Sequence, residues 1–173
     1  MRQVANTARI RRFMAELGRA ADTDACVYFT GGATAVLEGW RASTIDIDIK
    51  IVPDRDAVYR AIPSIKERLE VNVELASPDD FIPVREGWEL RSPFVAREGR
   101  LSFHHFDLCA QALAKIERGH VQDVADVEEM IHRGLVARAE LLRTYELIEP
   151  RLFRYPAIDA PSFRRAVVEI ASE

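Results

Sequence analysis

Apolar and polar positions along this chain follow two periods, and the switches between them outline a fold. Residues 7–21 place Ile10, Phe13, Met14 and Leu17 at helical spacing, which predicts an amphipathic helix. Cys26-Val27-Tyr28-Phe29 is a short run of strand formers, stopped by Gly31-Gly32. Residues 33–40 then predict a short helix, with Gly39 near its end. From Thr44 to Val52 the alternation is strict. Ile45, Ile47, Ile49 and Ile51 face one side, and Asp46, Asp48 and Lys50 face the other, so this is the clearest strand in the chain.

Residues 54–69 are helical in pattern, with Pro63 expected to break or kink the helix. Residues 71–75 form a second alternating strand that puts Asn72 and Glu74 on one face. A polar, proline-bearing loop over 77–93 follows, then a hairpin over 94–106 turning at Glu98-Gly99. From Asp107 the period is helical: 107–117, 122–133, 138–152 and, past a connector bracketed by Pro156 and Pro161, 161–172. The expected class is α/β (α+β), a small mixed sheet flanked by helices with a helical C-terminal region. The core would span 1–106, with the helical region of 107–173 packed on it as one structural unit.

Composition narrows the picture. Hydrophobic residues make up 48% and charged residues 30% of the 173, as in an ordinary globular domain able to bury a core. Cys26 and Cys109 cannot build a disulfide framework, and both are expected as buried thiols. The start, Met1-Arg2-Gln3-Val4-Ala5-Asn6, runs into a charged amphipathic segment, so no export signal is expected. No apolar run approaches the roughly 20 residues that cross a bilayer. The expectation is a cytoplasmic protein without a membrane partner. A net charge of -4 argues against a nonspecific nucleic-acid coat. The only lysines in an arginine-rich chain are Lys50, Lys66 and Lys115, compact point charges of the kind that suit a phosphate.

The chemistry starts with Asp46 and Asp48. Carboxylates two positions apart on a strand share a face, and side by side without a cation they repel. A hard divalent ion, Mg²⁺ or Mn²⁺, relieves the conflict and brings substrate phosphates with it. Solvated acids on a wet strand face are the ordinary explanation of such a pair. Gly31-Gly32, between strand and helix and flanked by Thr30 and Thr34, would let backbone N–H groups approach a phosphate. Alone it is also a plain turn. His104 and His105 fall on opposite faces of a strand and cannot serve one site, and His120 and His132 read as structural or surface residues. Among the aromatics, Trp88 stands apart because its loop is polar.

Taken together, Phe29-Thr30-Gly31-Gly32, residues 33–45, and Asp46-Ile47-Asp48-Ile49 resemble the signature of the nucleotidyltransferase superfamily that includes DNA polymerase β. The spacer is at the long end for that family, and Thr30 stands where a small residue is usual. The resemblance implies a third metal carboxylate from a later strand, and Glu74 fits. Arg41 and Thr44, just ahead of the aspartate strand, would lie near the phosphates.

Ala110-Gln111-Ala112-Leu113-Ala114-Lys115, Arg118 and Asp123-Val124-Ala125-Asp126 look like the segment following the core in AbiEii-like toxin nucleotidyltransferases. That resemblance implies Lys115 as the phosphate-facing cation, with Asp123 or Asp126 in support. Asp123 and Asp126 share a helix face, and an acidic N-terminal turn favoured by the helix dipole accounts for them about as well.

The implied activity is metal-dependent transfer of a nucleoside monophosphate from an NTP to an acceptor hydroxyl. The acceptor would be a tRNA, gripped by Arg151, Arg154, Arg164 and Arg165, and an antitoxin protein would be the partner. The alternatives are a catalytically silent member that binds a nucleotide or a protein, and a small-molecule (antibiotic) nucleotidyltransferase.

Overall fold

The computed structural model describes residues 3–173; Met1 and Arg2, from which the export-signal reading starts, lie outside them. Two compact units are formed, Met1–Ser77 with Ser92–Phe106, and Pro78–Arg91 with Asp107–Glu173.

The first unit is built on a five-stranded mixed sheet of β1 (Ala25–Thr30), β2 (Asp46–Val52), β3 (Asn72–Leu75), β4 (Phe94–Glu98) and β5 (Leu101–His105), ordered β3-β2-β1-β5-β4. β1 pairs antiparallel with β2 and parallel with β5. β2 and β3 are parallel, and β4 and β5 form the hairpin expected from Glu98-Gly99.

Three helices belong to this unit: α1 (Thr7–Ala20), α2 (Gly31–Glu38) and α3 (Asp56–Leu69). Ile10, Phe13, Met14 and Leu17 of α1 join Val58, Ile62, Ile65 and Leu69 of α3 in one apolar core. From the sheet that core takes Val27, Phe29, Ile47, Ile49, Ile51, Val73, Leu101 and Phe103, which alternate along β1, β2 and β5. The opposite face therefore carries Thr30, Asp46, Asp48, Asn72 and Glu74.

Two local expectations need correction. Ile45 does not join the isoleucine row but is 73% exposed, because β2 begins only at Asp46 and nothing covers the residue before it. Pro63 does not end α3, which runs unbroken from Asp56 to Leu69. Pro63 lies on the exposed side, where the Tyr59 carbonyl left without its N–H partner can be solvated, and buried Ile62 and Ile65 hold the turns around it.

The second unit holds α4 (Leu108–Arg118), α5 (Val121–His132), α6 (Arg138–Ile148) and α7 (Ala160–Ser172) around Leu113, Ile116, Val127, Met130, Leu141, Tyr145, Ile148, Phe163 and Val167. Asp107 caps α4, accepting from the Cys109 and Ala110 amides, while Arg91 Nε donates to its other oxygen at 2.8 Å. The segment 78–91, read from sequence as loop, contains two short 3₁₀ turns. It is tied to this unit by that bond, by Arg151 Nη2 to the Val84 carbonyl (2.9 Å) and by Tyr155 OH to the Asp79 carbonyl (2.8 Å). Among the described residues no helix is long and apolar enough to cross a membrane. Both cysteines are free thiols; Cys26 is half-buried, and burial pushes the Cys109 thiol up to about 12.

Candidate active site

The sheet register places the glycine turn and the aspartate strand side by side. Thr30, the last residue of β1, pairs with Asp48 across the β1–β2 ladder. The chain then turns into α2 at Gly31, whose φ of +60° is a conformation that side chains disfavour. A Cβ added to Gly31 would sit 3.0 Å from Asp48 Oδ2, so the carboxylate lies directly on this turn. A Cβ on Gly32 would meet Thr44 Oγ1 at 2.0 Å and Arg41 Nη1 at 3.5 Å. Gly31, Gly32, Arg41, Thr44 and Asp48 thus converge at the head of α2, where helix N–H groups lack intrahelical partners. Thr30 is buried, and its hydroxyl does not cap the helix. Thr44 Oγ1 donates instead to the Asp46 carbonyl at 3.0 Å and braces the start of β2.

The same face holds the other two acids. Asp46 pairs with Asn72, and Asp48 with Glu74, in the β2–β3 ladder. Asn72 Nδ2 donates to Asp46 Oδ1 at 2.6 Å and to Glu74 Oε1 at 3.1 Å. Asp46 and Asp48 are half-buried, whereas Glu74 is exposed on the outermost strand. Among the described residues no group of three His, Cys, Asp or Glu side chains is gathered tightly enough to hold a metal ion as it stands. The three carboxylates on this face, Asp46, Asp48 and Glu74, offer hard oxygens, the type that Mg²⁺ and Mn²⁺ prefer.

In the helical unit, Lys115, Asp123 and Asp126 come together with one another. Lys115 is buried, and its Nζ donates to Asp126 Oδ2 at 2.7 Å and lies 3.7 Å from Asp123 Oδ1. Arg118 Nε donates to Asp123 Oδ2 at 2.7 Å, and Gln122 Nε2 to Asp126 Oδ1 at 3.2 Å. Both acids are buried, so this is an ion cluster joining α4 to α5 rather than a solvated acidic turn. Burial alone would raise the Asp123 carboxyl, but the Arg118 hydrogen bonds, with the charges of Arg118 and Lys115, outweigh it and hold the group below its ordinary value.

Over residues 5–160 the chain matches a family model described as nucleotidyltransferase of unknown function (DUF6036). The chain belongs to this family. No curated protein and no solved structure matches it. The span shared with the nucleotidyltransferase family takes in the glycine turn, β2, β3 and the Lys115 cluster, and ends at the first residue of α7. Arg164 and Arg165 lie beyond it. Arg164 pairs with Glu149, Arg165 donates to Ser162 Oγ, and Arg151 holds the Val84 carbonyl. Arg154 and Trp88 line a cavity of about 360 Å³ with Tyr155.

The contacts of three residues, Asn72, Asp107 and His105, are not written in any local pattern of the sequence. Strand parity puts Asn72 beside Glu74 on a polar face, but its bond to Asp46 is a contact across the ladder. Asp107 gives the sequence signal of a helix cap but none of its pairing with Arg91.

His105 lies under α2, with Nδ1 3.0 Å from Thr34 Oγ1 and Nε2 3.0 Å from Glu38 Oε1. Its parity with Leu101 and Phe103 was the available clue that it faces the core. Burial first, then the charges of Arg11 and His104, lowers the imidazole to about 4. The ring is therefore neutral, held between Glu38 on one side and, on the other, the Thr34 hydroxyl, which also lies 3.3 Å from the Phe29 carbonyl. This pins α2, and with it the glycine turn, to β5.

Proposed function

We propose that the protein is a metal-dependent nucleotidyltransferase that moves a nucleoside monophosphate from an NTP to an acceptor hydroxyl. The observation that carries this reading is the Asp48 carboxylate lying on Gly31 at the head of α2. It sets a hard oxygen donor beside backbone amides of the kind that suit phosphate. Asp46 and Asp48 would hold the Mg²⁺ or Mn²⁺ ion, with Glu74 beside them as third ligand or as base. The ion, when bound, neutralises triphosphate charge and polarises the reacting phosphorus. Gly31 and Gly32 let the phosphates approach the α2 amides, and Arg41 and Thr44 flank them.

In the reaction the acceptor oxygen bonds to the α-phosphorus, the bond to the bridging β-oxygen breaks, and pyrophosphate leaves with that electron pair. Glu74 would take the acceptor's proton. Catalysis of this kind is positioning and electrostatics.

Lys115, with Asp123 and Asp126 in support, is the cation that the toxin resemblance would assign to phosphate. Its bond to Asp126 favours a second role as a staple between α4 and α5. The resemblance of residues 110–126 to AbiEii-like toxins would direct the acceptor toward tRNA, in the cytoplasm, and the partner toward an antitoxin protein. Arg154 beside Trp88 is the C-terminal arginine best placed to meet RNA.

The test is incubation with each labelled NTP, Mg²⁺ and total RNA. Asp46→Asn and Asp48→Asn should fold as the natural chain does but lose transfer by about a hundredfold or more; undiminished labelling by Asp48→Asn would falsify the mechanism. The amide bridge between Asp46 and Glu74 favours one alternative, a silent member that binds Mg²⁺-nucleotide without transfer. Thermal stabilisation by Mg²⁺-NTP without labelling of any acceptor would establish it.

A further inference from the structure

We propose that the Asn72 amide is a built-in stand-in for the metal ion, holding Asp46 and Glu74 in the ion-free protein and yielding when the ion binds. The inference rests on the metal-site reading above. Asn72 Nδ2 lies 2.6 Å from Asp46 Oδ1 and 3.1 Å from Glu74 Oε1. An amide nitrogen carries two hydrogens and so satisfies two carboxylate oxygens at once, whereas the amide oxygen would be repelled by both. The side-chain orientation is therefore set by the acids themselves.

An ion coordinated by these same two oxygens at roughly 2.0–2.1 Å would occupy the space in which the nitrogen sits. At least one of the two charge-assisted bonds must break for the ion to enter. The amide thus stabilises the ion-free state selectively and raises the ion concentration at which the site fills. An ion arriving with its own phosphate ligands is least affected, because those ligands supply binding that a bare ion lacks. Asn72 makes loading depend on nucleotide.

The test is titration of Mn²⁺ alone, followed by calorimetry and by electron paramagnetic resonance of free Mn²⁺, into the natural chain, Asn72→Ala and Asn72→Val. Valine retains strand preference should the alanine variant fold poorly. Both variants should bind Mn²⁺ about tenfold more tightly than the natural chain, the equivalent of one charge-assisted hydrogen bond no longer lost on binding. Adding Asp46→Asn should abolish the gain. A residue that merely supported the strand would leave the affinity unchanged, and one that oriented the ligands would lower it when removed; either result overturns the proposal. A gain that survives Asp46→Asn also overturns it, because the ion is then elsewhere. No Mn²⁺ uptake by any variant removes the metal-site reading itself, whereas uptake by the natural chain with no tightening in the variants removes this inference alone.

Discussion

The packing of Gly32 against Thr44 allows a prediction independent of any activity. A Cβ on Gly32 would lie 2.0 Å from Thr44 Oγ1 and 2.7 Å from Thr44 Cβ, well inside the roughly 3.5 Å at which heavy atoms rest. Gly32→Ala must displace Thr44. Overpacking of this kind costs about 1–3 kcal/mol. The displaced hydroxyl also loses its bond to the Asp46 carbonyl, worth about 1 kcal/mol. The sum, roughly 2–4 kcal/mol, corresponds to a fall in Tm of about 2–4 °C per kcal/mol for a chain of this size.

Thr44→Gly removes both clashing atoms. The double variant Gly32→Ala/Thr44→Gly should therefore be more stable than the two single losses predict, by about 1–3 kcal/mol. Urea denaturation of the four proteins measures this coupling. Gly31→Ala serves as the control. Its cost comes mainly from the +60° φ, about 1–2 kcal/mol, and Thr44→Gly should not rescue it. If the Gly32 and Thr44 effects add to within about 0.5 kcal/mol, the packing argument is wrong.

Two further outcomes concern buried charge. Lys115→Ala leaves the fully buried Asp126 without its cation and should cost about 3–5 kcal/mol, whereas Lys115→Met/Asp126→Leu should recover most of the loss; a urea midpoint for Lys115→Ala equal to that of the natural chain would refute the staple. His105, lowered from 6.5 to about 4 in the folded protein, favours its neutral form there, so the stability it contributes is complete above about pH 6.5 and declines as pH falls toward 4. Between pH 6.5 and 5 the natural chain should lose up to about 2 kcal/mol more than His105→Gln, and parallel losses in urea titrations would show that burial does not control this histidine.

The strands were readable wherever one face is core and the other is polar. In β2 the isoleucine row and the aspartate row are the two faces of the sheet, and the parity of Asn72 and Glu74 in β3 puts them beside Asp46 and Asp48. Parity identifies a face but not where the sheet ends, which is why Ile45 was placed inside and lies outside. Pro63 shows the same kind of gap. A proline argues against a helix locally, yet burial of Ile62 and Ile65 on the other side outweighs the lost hydrogen bond.

For the candidate site, the spacing of the glycine turn and the aspartates was legible because neighbouring strands translate it into proximity. The Asn72 bridge, the His105 pin beneath α2 and the Arg91–Asp107 pair depend on tertiary distances that no local pattern encodes. The burial of Asp123 and Asp126 was hidden for a related reason. Sequence shows two acids on a helix face, but whether that face meets water or a buried lysine depends on α4.

A sheet with two open margins risks recruiting strands from other molecules, and this one is guarded at each. On the β3 side, a strand of only four residues gives a short template, and Lys66 Nζ caps the Val73 carbonyl at 3.1 Å. On the β4 side, a register shift between Phe94 and Ala96 interrupts the ladder close to an exposed phenylalanine. Both margins also carry an exposed apolar side chain, Leu75 on one and Phe94 on the other, that would otherwise favour intermolecular zippering. The lysine and the shortness of β3 let the protein keep a carboxylate on that outermost strand without the strand becoming a seed for aggregation, and the bulge does the same service for β4.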